Sequence, residues 1–331
     1  MCSLFGIIDY EGYLNQRQKS RILKVLSKEC EVRGTDATGF AYVSQGKLQI
    51  RKAPLPAHKM SFSFPADVHI IMGHTRMATQ GNAKNIANNH PFRGYIGGRE
   101  FALAHNGVIW NDRPLRRQHN LSKTEIETDS YIAVQLLEQN KALTLQSLGN
   151  MAEEVEGSFT FTVLDDQNSL YFIKGDSPLA LYHYPKQGYY LYASTDDILQ
   201  KTLAKLGMKK SKYDKLNLIC GDILKIDCSG RREHSESDTS SFITASYRWF
   251  DSLYENSFSH HHKKRHGDIY LDVLYEFAGN IGVSEADIDL LFGYGYTEDE
   301  IEELLCDPLS LGYLLDEIKG IEQSGQDSFW M

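Results

Sequence analysis

Met1-Cys2-Ser3-Leu4-Phe5-Gly6-Ile7-Ile8-Asp9-Tyr10-Glu11-Gly12 opens the chain. Leu4 to Ile8 is a short apolar run closed by polar and glycine residues, the pattern of a buried strand entering a turn. A thiol therefore heads a buried strand. Downstream, Ile22, Val25, Leu26 and Cys30 recur at helical spacing and Gly34 stops the pattern, so an amphipathic helix is expected, with Cys30 in the core. Further strands are expected at 39–43, 48–51, 68–72 and 101–104, a helix start at Thr128, a hairpin from 157–164 and 170–174, and strands at 189–193 and 222–226. Residues 2–229 read as one α+β domain of two packed sheets flanked by helices.

Beyond residue 229 the sequence turns polar, and 230–266 reads as a linker. Its three histidines His260, His261 and His262, followed by basic residues to His266, carry no assigned function. Residues 267–331 read as a small helical module: Ile269, Val273, Leu274 and Phe277 are helically spaced, Ser284 with Asp287 and Thr297 with Glu300 have helix-start spacing, and Leu311, Leu314, Leu315 and Ile318 form a last stripe.

The chain has 331 residues, 41% of them hydrophobic and 24% charged, as in ordinary globular proteins. A net charge of −9 argues against nucleic acid as the main partner, because phosphate contacts need a surplus of cations. The five cysteines form no CxxC pair, as expected of thiols in a reducing compartment, and Cys220, Cys228 and Cys306 are expected as core or half-buried thiols. No run reaches the ~18 apolar residues of a membrane span, and the opening lacks a leader pattern. A cytoplasmic protein is expected, with no metal and no cofactor.

Cys2 follows the initiator methionine and is small enough for Met1 to be removed. One residue would then offer both a thiol, with a pKa near about 8.5, and an α-amino group near roughly 7.7 to 8 that can take its proton. Four other stretches stand in order behind it: Arg33-Gly34-Thr35-Asp36-Ala37-Thr38-Gly39, Gly73-His74-Thr75-Arg76-Met77-Ala78-Thr79-Gln80-Gly81 with Asn89-His90-Pro91, then His105-Asn106-Gly107, and Glu127-Thr128-Asp129.

In order and spacing these stretches resemble the class II glutamine amidotransferases, and are similar to the glutaminase domain of glucosamine-6-phosphate synthase. The resemblance spans about 2 to 200. It implies the N-terminal-nucleophile fold, a four-layer αββα sandwich, and hydrolysis of the glutamine side-chain amide through a γ-glutamyl thioester on Cys2. Asn106, through its side-chain amide, and Gly107, through its backbone N–H, match the family's oxyanion donors, and such a donor is worth roughly 3 to 4 kcal/mol of barrier. Free glutamine carries a carboxylate and an ammonium, so its pocket needs one cation and one anion. Arg76, with a planar fork suited to a carboxylate, and Asp129 match those places, with Thr79 and Gln80 as further contacts. Arg33 and His90 match supporting positions, and His74 and His105 read as structural.

The sequence departs from the sugar-phosphate branch at Met77 and Gln80, where that branch has Trp and His. No GxxxxGK[ST] phosphate loop is present, and no acceptor domain is recognisable after 229. The expectation is a glutaminase subunit that hands ammonia to a separate acceptor enzyme, with the helical module docking that partner. Two alternatives stay open: a hydrolase of another γ-glutamyl amide, and a non-catalytic glutamine sensor or scaffold.

Overall fold

The computed structural model describes residues 2–208, 211–238 and 283–296, together with 275, 278, 301, 304–305, 311–312, 314–315 and 318–319. It divides into two compact units, Met1–Ala245 and Ser246–Met331.

In the larger unit the opening strand β1 (Ser3–Asp9) is buried along its whole length, because both of its faces are covered. Phe5 and Ile7 point to a core shared with the helix α1 (Gln16–Glu29). Leu4 and Ile8 point the other way, into a core shared with the second sheet. This two-sided burial is why the run Leu4–Ile8 is continuous rather than alternating. Helix α1 starts at Asn15, which forms a capping box with Gln18. Its Lys19 reaches Asp9 at 2.8 Å and donates to the Val68 carbonyl at 2.6 Å, a buried pair that pins the helix to the end of β1. The buried stripe includes Leu23 rather than Val25, which is half-buried, and Cys30 is fully buried as expected.

The first sheet continues with β2 (Ala37–Ser44), β3 (Lys47–Ala53) and β4 (Ile70–Arg76). The second begins with β5 (Phe92–Ile96) and β6 (Arg99–Ile109). Helices α2 (Asp112–Gln118), α3 (Tyr131–Glu138) and α4 (Leu145–Glu154) follow, then β7 (Gly157–Asp165), β8 (Leu170–Lys174), β9 (Ala180–Tyr184), β10 (Tyr189–Ala193), α5 (Asp196–Leu206), β11 (Asp214–Leu216), β12 (Asp222–Ile226) and β13 (Arg232–Glu236). The seven-stranded sheet runs β11-β9-β10-β1-β4-β2-β3 and the six-stranded sheet β13-β12-β8-β7-β6-β5.

Side-chain alternation sorts three cores. Ala102 and Ala104 of β6 and Leu170 and Phe172 of β8 meet Leu4, Ile8 and Met72 between the sheets. Phe101 and Leu103 of β6, with Phe159, Phe161 and Val163 of β7, pack outward on α3 and α4. The outer face of the first sheet packs on α1 and α5. The result is the four-layer αββα sandwich that the resemblance implies.

Three differences from the sequence reading have physical causes. β4 and β6 do not stop before the polar stretches but run through them, to Arg76 and Ile109, because ladder pairing, with β1 and β2 for β4 and with β7 for β6, outweighs the polarity of the side chains. Arg232–Glu236, beyond the boundary expected at 229, pairs with β12 as an edge strand; its exposed and half-buried alternation left no apolar signature. Cys220 and Cys228 are exposed rather than core thiols, since both sit in the turns that flank β12.

In the smaller unit, Ser284 caps the helix Glu285–Gly293 with a Ser284–Asp287 capping box. Ile288, Leu291, Ile301, Leu305, Leu311, Leu315 and Ile318 form its core, with Leu314 packed against it. The readings at Ile269, Val273, Leu274, Phe277, Thr297, Glu300, Cys306 and His260 to His266 lie outside the described residues. Among the described residues no helix is long and apolar enough to cross a membrane.

Candidate active site

Cys2 stands one residue before β1, where the β1–β4 register sets Ser3 opposite Thr75 and brings the N-terminal end of one strand beside the C-terminal end of the other. Its thiol donates to the Met77 carbonyl at 3.5 Å. Burial pushes the thiol pKa up, the Met77 contact and the Arg76 charge act to lower it, and Asp129 acts to raise it. Cys2, Arg76 and Asp129, far apart in sequence, therefore share one electrostatic neighbourhood.

Arg33 ties the two sheets together at this point. It comes from the 3-10 turn Cys30–Arg33 that ends α1, and its Nε donates to the Cys2 carbonyl at 2.9 Å. Its Nη2 donates to Asn106 Oδ1 at 3.5 Å. Gly34, which follows, lets the chain pass against β4: a Cβ there would lie 2.4 Å from the Arg76 carbonyl carbon. Asn106 sits on β6 opposite Thr160. Its side chain is buried, and its Nδ2 has no partner among the described residues. An orphaned buried donor costs about 1–3 kcal/mol, a cost that a functional site can sustain if a ligand atom is to be received there. Gly107 follows with φ +140, and a Cβ there would lie 1.9 Å from the Ser158 carbonyl oxygen. Only glycine fits both the backbone angle and the approach to β7.

Arg76 ends β4 and is 2% exposed. Its Nη1 donates to Asn89 Oδ1 at 2.7 Å and its Nη2 to the carbonyls of Gln80 and Gly81. Nε and the second Nη1 hydrogen have no partner among the described residues. Thr79, exposed, and Gln80, half-buried, thus belong to a loop folded around the guanidinium. That loop is tied down at further points. Ala78 N–H donates to Asp36 at 2.8 Å, Asn88 exchanges hydrogen bonds with Glu127 at 2.7 and 2.9 Å, and Asn89 Nδ2 donates to the Ala83 carbonyl at 2.7 Å. Asp129 lies in the turn before α3, and its carboxylate accepts from Ile109 N–H at 2.7 Å rather than capping the helix.

The three motif histidines form a buried cluster. His90 stacks near His74 with ring centroids 4.2 Å apart and near Phe92 at 4.3 Å. His74 Nε2 meets the His105 carbonyl at 2.9 Å, and His105 Nδ1 meets Ser130 Oγ at 2.8 Å. Burial lowers all three pKa values, that of His74 to about 3, so the rings are neutral. Neither ring nitrogen of His90 has a partner among the described residues.

A family model described as a glutamine amidotransferase domain matches residues 74–201. The glutamine–fructose-6-phosphate aminotransferase of Staphylococcus aureus is 35% identical over 185 residues, 53% of this chain and 30% of that protein. Its counterpart from Staphylococcus epidermidis is 33% identical over 183 residues, with the same coverage. The chain carries a glutamine amidotransferase domain. It spans 30% of the length of these curated relatives. The fold agrees: the glutamine phosphoribosylpyrophosphate amidotransferase of B. subtilis superposes with a TM-score of 0.57 at 19% identity, covering 72% of this chain and 50% of that one. A structure described as the allosteric regulatory enzyme of purine biosynthesis superposes with a TM-score of 0.58, also at 19% identity over 72% of this chain and 50% of that one.

Within the amidotransferase domain, the matched span 74–201 contains Arg76, Thr79, Gln80, His90, Asn106, Gly107 and Asp129, while Cys2 and Arg33 precede it. The tethers Asp36, Asn88, Asn89, Glu127 and Ser130 were given no role from sequence. Each lies in or beside a quoted motif, but only the fold shows what their amides and carboxylates hold. Elsewhere, Asp222, His234 and Glu236 on β12 and β13 bring potential metal-ligand atoms within 4.8 Å of one another.

Proposed function

We propose that this domain hydrolyses the side-chain amide of L-glutamine, with Cys2 as nucleophile once Met1 has been removed. The observation that carries this is the buried, unpartnered Nδ2 of Asn106, linked through Arg33 to the Cys2 carbonyl. It is a donor already desolvated and already oriented, which is what a developing oxyanion requires.

The freed α-amino group of Cys2 takes the thiol proton, directly or through a water, as sulfur attacks the amide carbon. The oxyanion is received by Asn106 Nδ2 and the Gly107 N–H. The tetrahedral intermediate collapses, the amine's proton goes to the leaving nitrogen, and ammonia departs from a γ-glutamyl thioester. Water then adds and releases glutamate and the thiol. Burial raises the thiol pKa, so the local base is needed; the neutral histidines, with lowered pKa values, do not serve as one. Arg76 offers Nε and its remaining Nη1 hydrogen to the substrate carboxylate, and Asp129 offers a carboxylate oxygen to the ammonium. Thr79 and Gln80 close over the ligand, while Arg33 and His90 keep the site in shape.

The ammonia is passed to a separate acceptor enzyme, and the helical module 267–331 provides the docking contact. The test pairs intact mass with ammonia release from L-glutamine, for the native chain and Cys2→Ala. Loss of Met1 with Cys2-dependent release supports the reading. Loss of Met1 with release only from another γ-glutamyl amide transfers the chemistry to that substrate. Retained Met1 without release favours a glutamine sensor.

A further inference from the structure

The edge strands of the two sheets, β3 and β5, contribute to a pocket of about 640 Å³ that the glutamine chemistry does not use. Arg51, Lys52 and Arg93 line it together with the apolar side chains of Ile50, Met60 and Ile86, and its lining contains no carboxylate. Arg93 is partly neutralised by Glu100 at 2.7 Å. Lys52 has no carboxylate partner among the described residues: its ammonium donates to the Asn89 carbonyl at 2.6 Å and the Ala87 carbonyl at 3.4 Å, and lies 5.1 Å from the Phe92 ring centroid. Burial, with Arg76 as its charged neighbour, pulls the Lys52 pKa down to about 8. A half-buried cation facing another cation is a place where an anion is favoured.

The pocket is connected to the substrate cation. Lys52 holds the backbone carbonyl of Asn89, and the side-chain oxygen of the same Asn89 accepts from Arg76 Nη1 at 2.7 Å. We infer that this pocket binds a small phosphate monoester, its phosphate on Arg51 and Lys52 and its body on the apolar wall, and that occupancy weakens glutamine binding through Lys52, Asn89 and Arg76. Two effects share that sign. The phosphate draws Lys52 off the Asn89 carbonyl and loosens the loop folded on Arg76, and its charge lowers the positive potential offered to the substrate carboxylate. The second half of the inference rests on Arg76 receiving glutamine; the first half does not.

The test uses the full chain and two probes, inorganic phosphate and phenyl phosphate, titrated by calorimetry. Phenyl phosphate should bind once per chain and more tightly than phosphate, because only it reaches the apolar wall. Arg51→Gln, at an exposed position outside the catalytic machinery, should weaken it about tenfold, the usual size for a charge-assisted hydrogen bond. Equal binding by the native and Arg51→Gln chains, or no binding of either probe, overturns the site. Coupling is read on Cys2→Ala, which binds glutamine without turnover: saturating phenyl phosphate should raise the glutamine Kd about fivefold, and glutamine should weaken phenyl phosphate by the same factor. Phenyl phosphate binding with an unmoved glutamine Kd overturns the relay. Glutamine failing to bind at all counts against the amidotransferase reading instead, and leaves the Arg51-dependent binding as the measure of the pocket.

Discussion

The two halves of the candidate site are held by different means. Cys2, Asn106 and Gly107 are fixed by strands: β1 and β4 set the thiol, and β6 paired with β7 sets the donors, Asn106 buried and Cys2 and Gly107 half-buried. The loop 77–90, by contrast, has no ladder of its own beyond short turns and is held by side chains, from Arg76, Asp36, Asn88 and Asn89. Packed strands resist deformation, whereas a hydrogen-bonded loop opens at a cost of a few bonds. In the proposed function the chemistry is thus placed on the rigid part and substrate admission on the part that can yield.

The largest effect that sharpens this contrast is on turnover. Cys2→Ala should abolish ammonia release. Asn106→Ala should lower kcat by about 10² to 10³, with the glutamine KM changed by less than about threefold, since in the proposed mechanism that donor acts on the oxyanion and not on the bound substrate; a large rise in KM at unchanged kcat would move Asn106 to substrate binding.

Next in size is stability on the rigid half. Gly107→Ala should cost about 3 kcal/mol or more in urea unfolding, because backbone angle and the Ser158 carbonyl both oppose a Cβ. A cost under about 1 kcal/mol would show that β6 can shift relative to β7.

The histidine cluster gives a pH signature. His74 is held at about 3 when folded, and His90 and His105 are also lowered, against about 6.5 when unfolded. The unfolded chain therefore binds more protons below that value. Stability should be full above about pH 6.5 and decline as pH falls toward about 3, at up to roughly 1.4 kcal/mol per pH unit for each histidine. Urea midpoints at pH 7.5 and pH 5 that coincide would exclude a neutral cluster.

The smallest effect belongs to the loop. Asn88→Ala removes its bonds to Glu127 and should cost about 1–2 kcal/mol of stability at most, while raising the glutamine KM severalfold with little change in kcat. If Asn88→Ala lowered kcat as far as Asn106→Ala does, the division between a rigid chemical half and a yielding loop would fail.

Sequence alone determined the strand at Leu4–Ile8, the helix carrying Ile22 and Leu26, the hairpin around Asp165 and the strands at 189–193 and 222–226, because each has a local pattern of apolar period and turn residues. It also located the polar stretches, as ordered motifs whose residue types suit amide hydrolysis. It did not reveal that β4 and β6 continue through those stretches, nor that Arg232–Glu236 is a strand, because pairing with a neighbour leaves no mark on a segment's own composition. The tertiary structure alone decided which motif groups meet: that Arg33 joins Cys2 to Asn106 across the two sheets, that the Arg76 fork is wrapped by its own loop, and that Asp129 turns back onto β6 rather than capping α3. Residue chemistry and local period are properties of short segments. Contacts between segments far apart in the chain are fixed only when both sheets are packed.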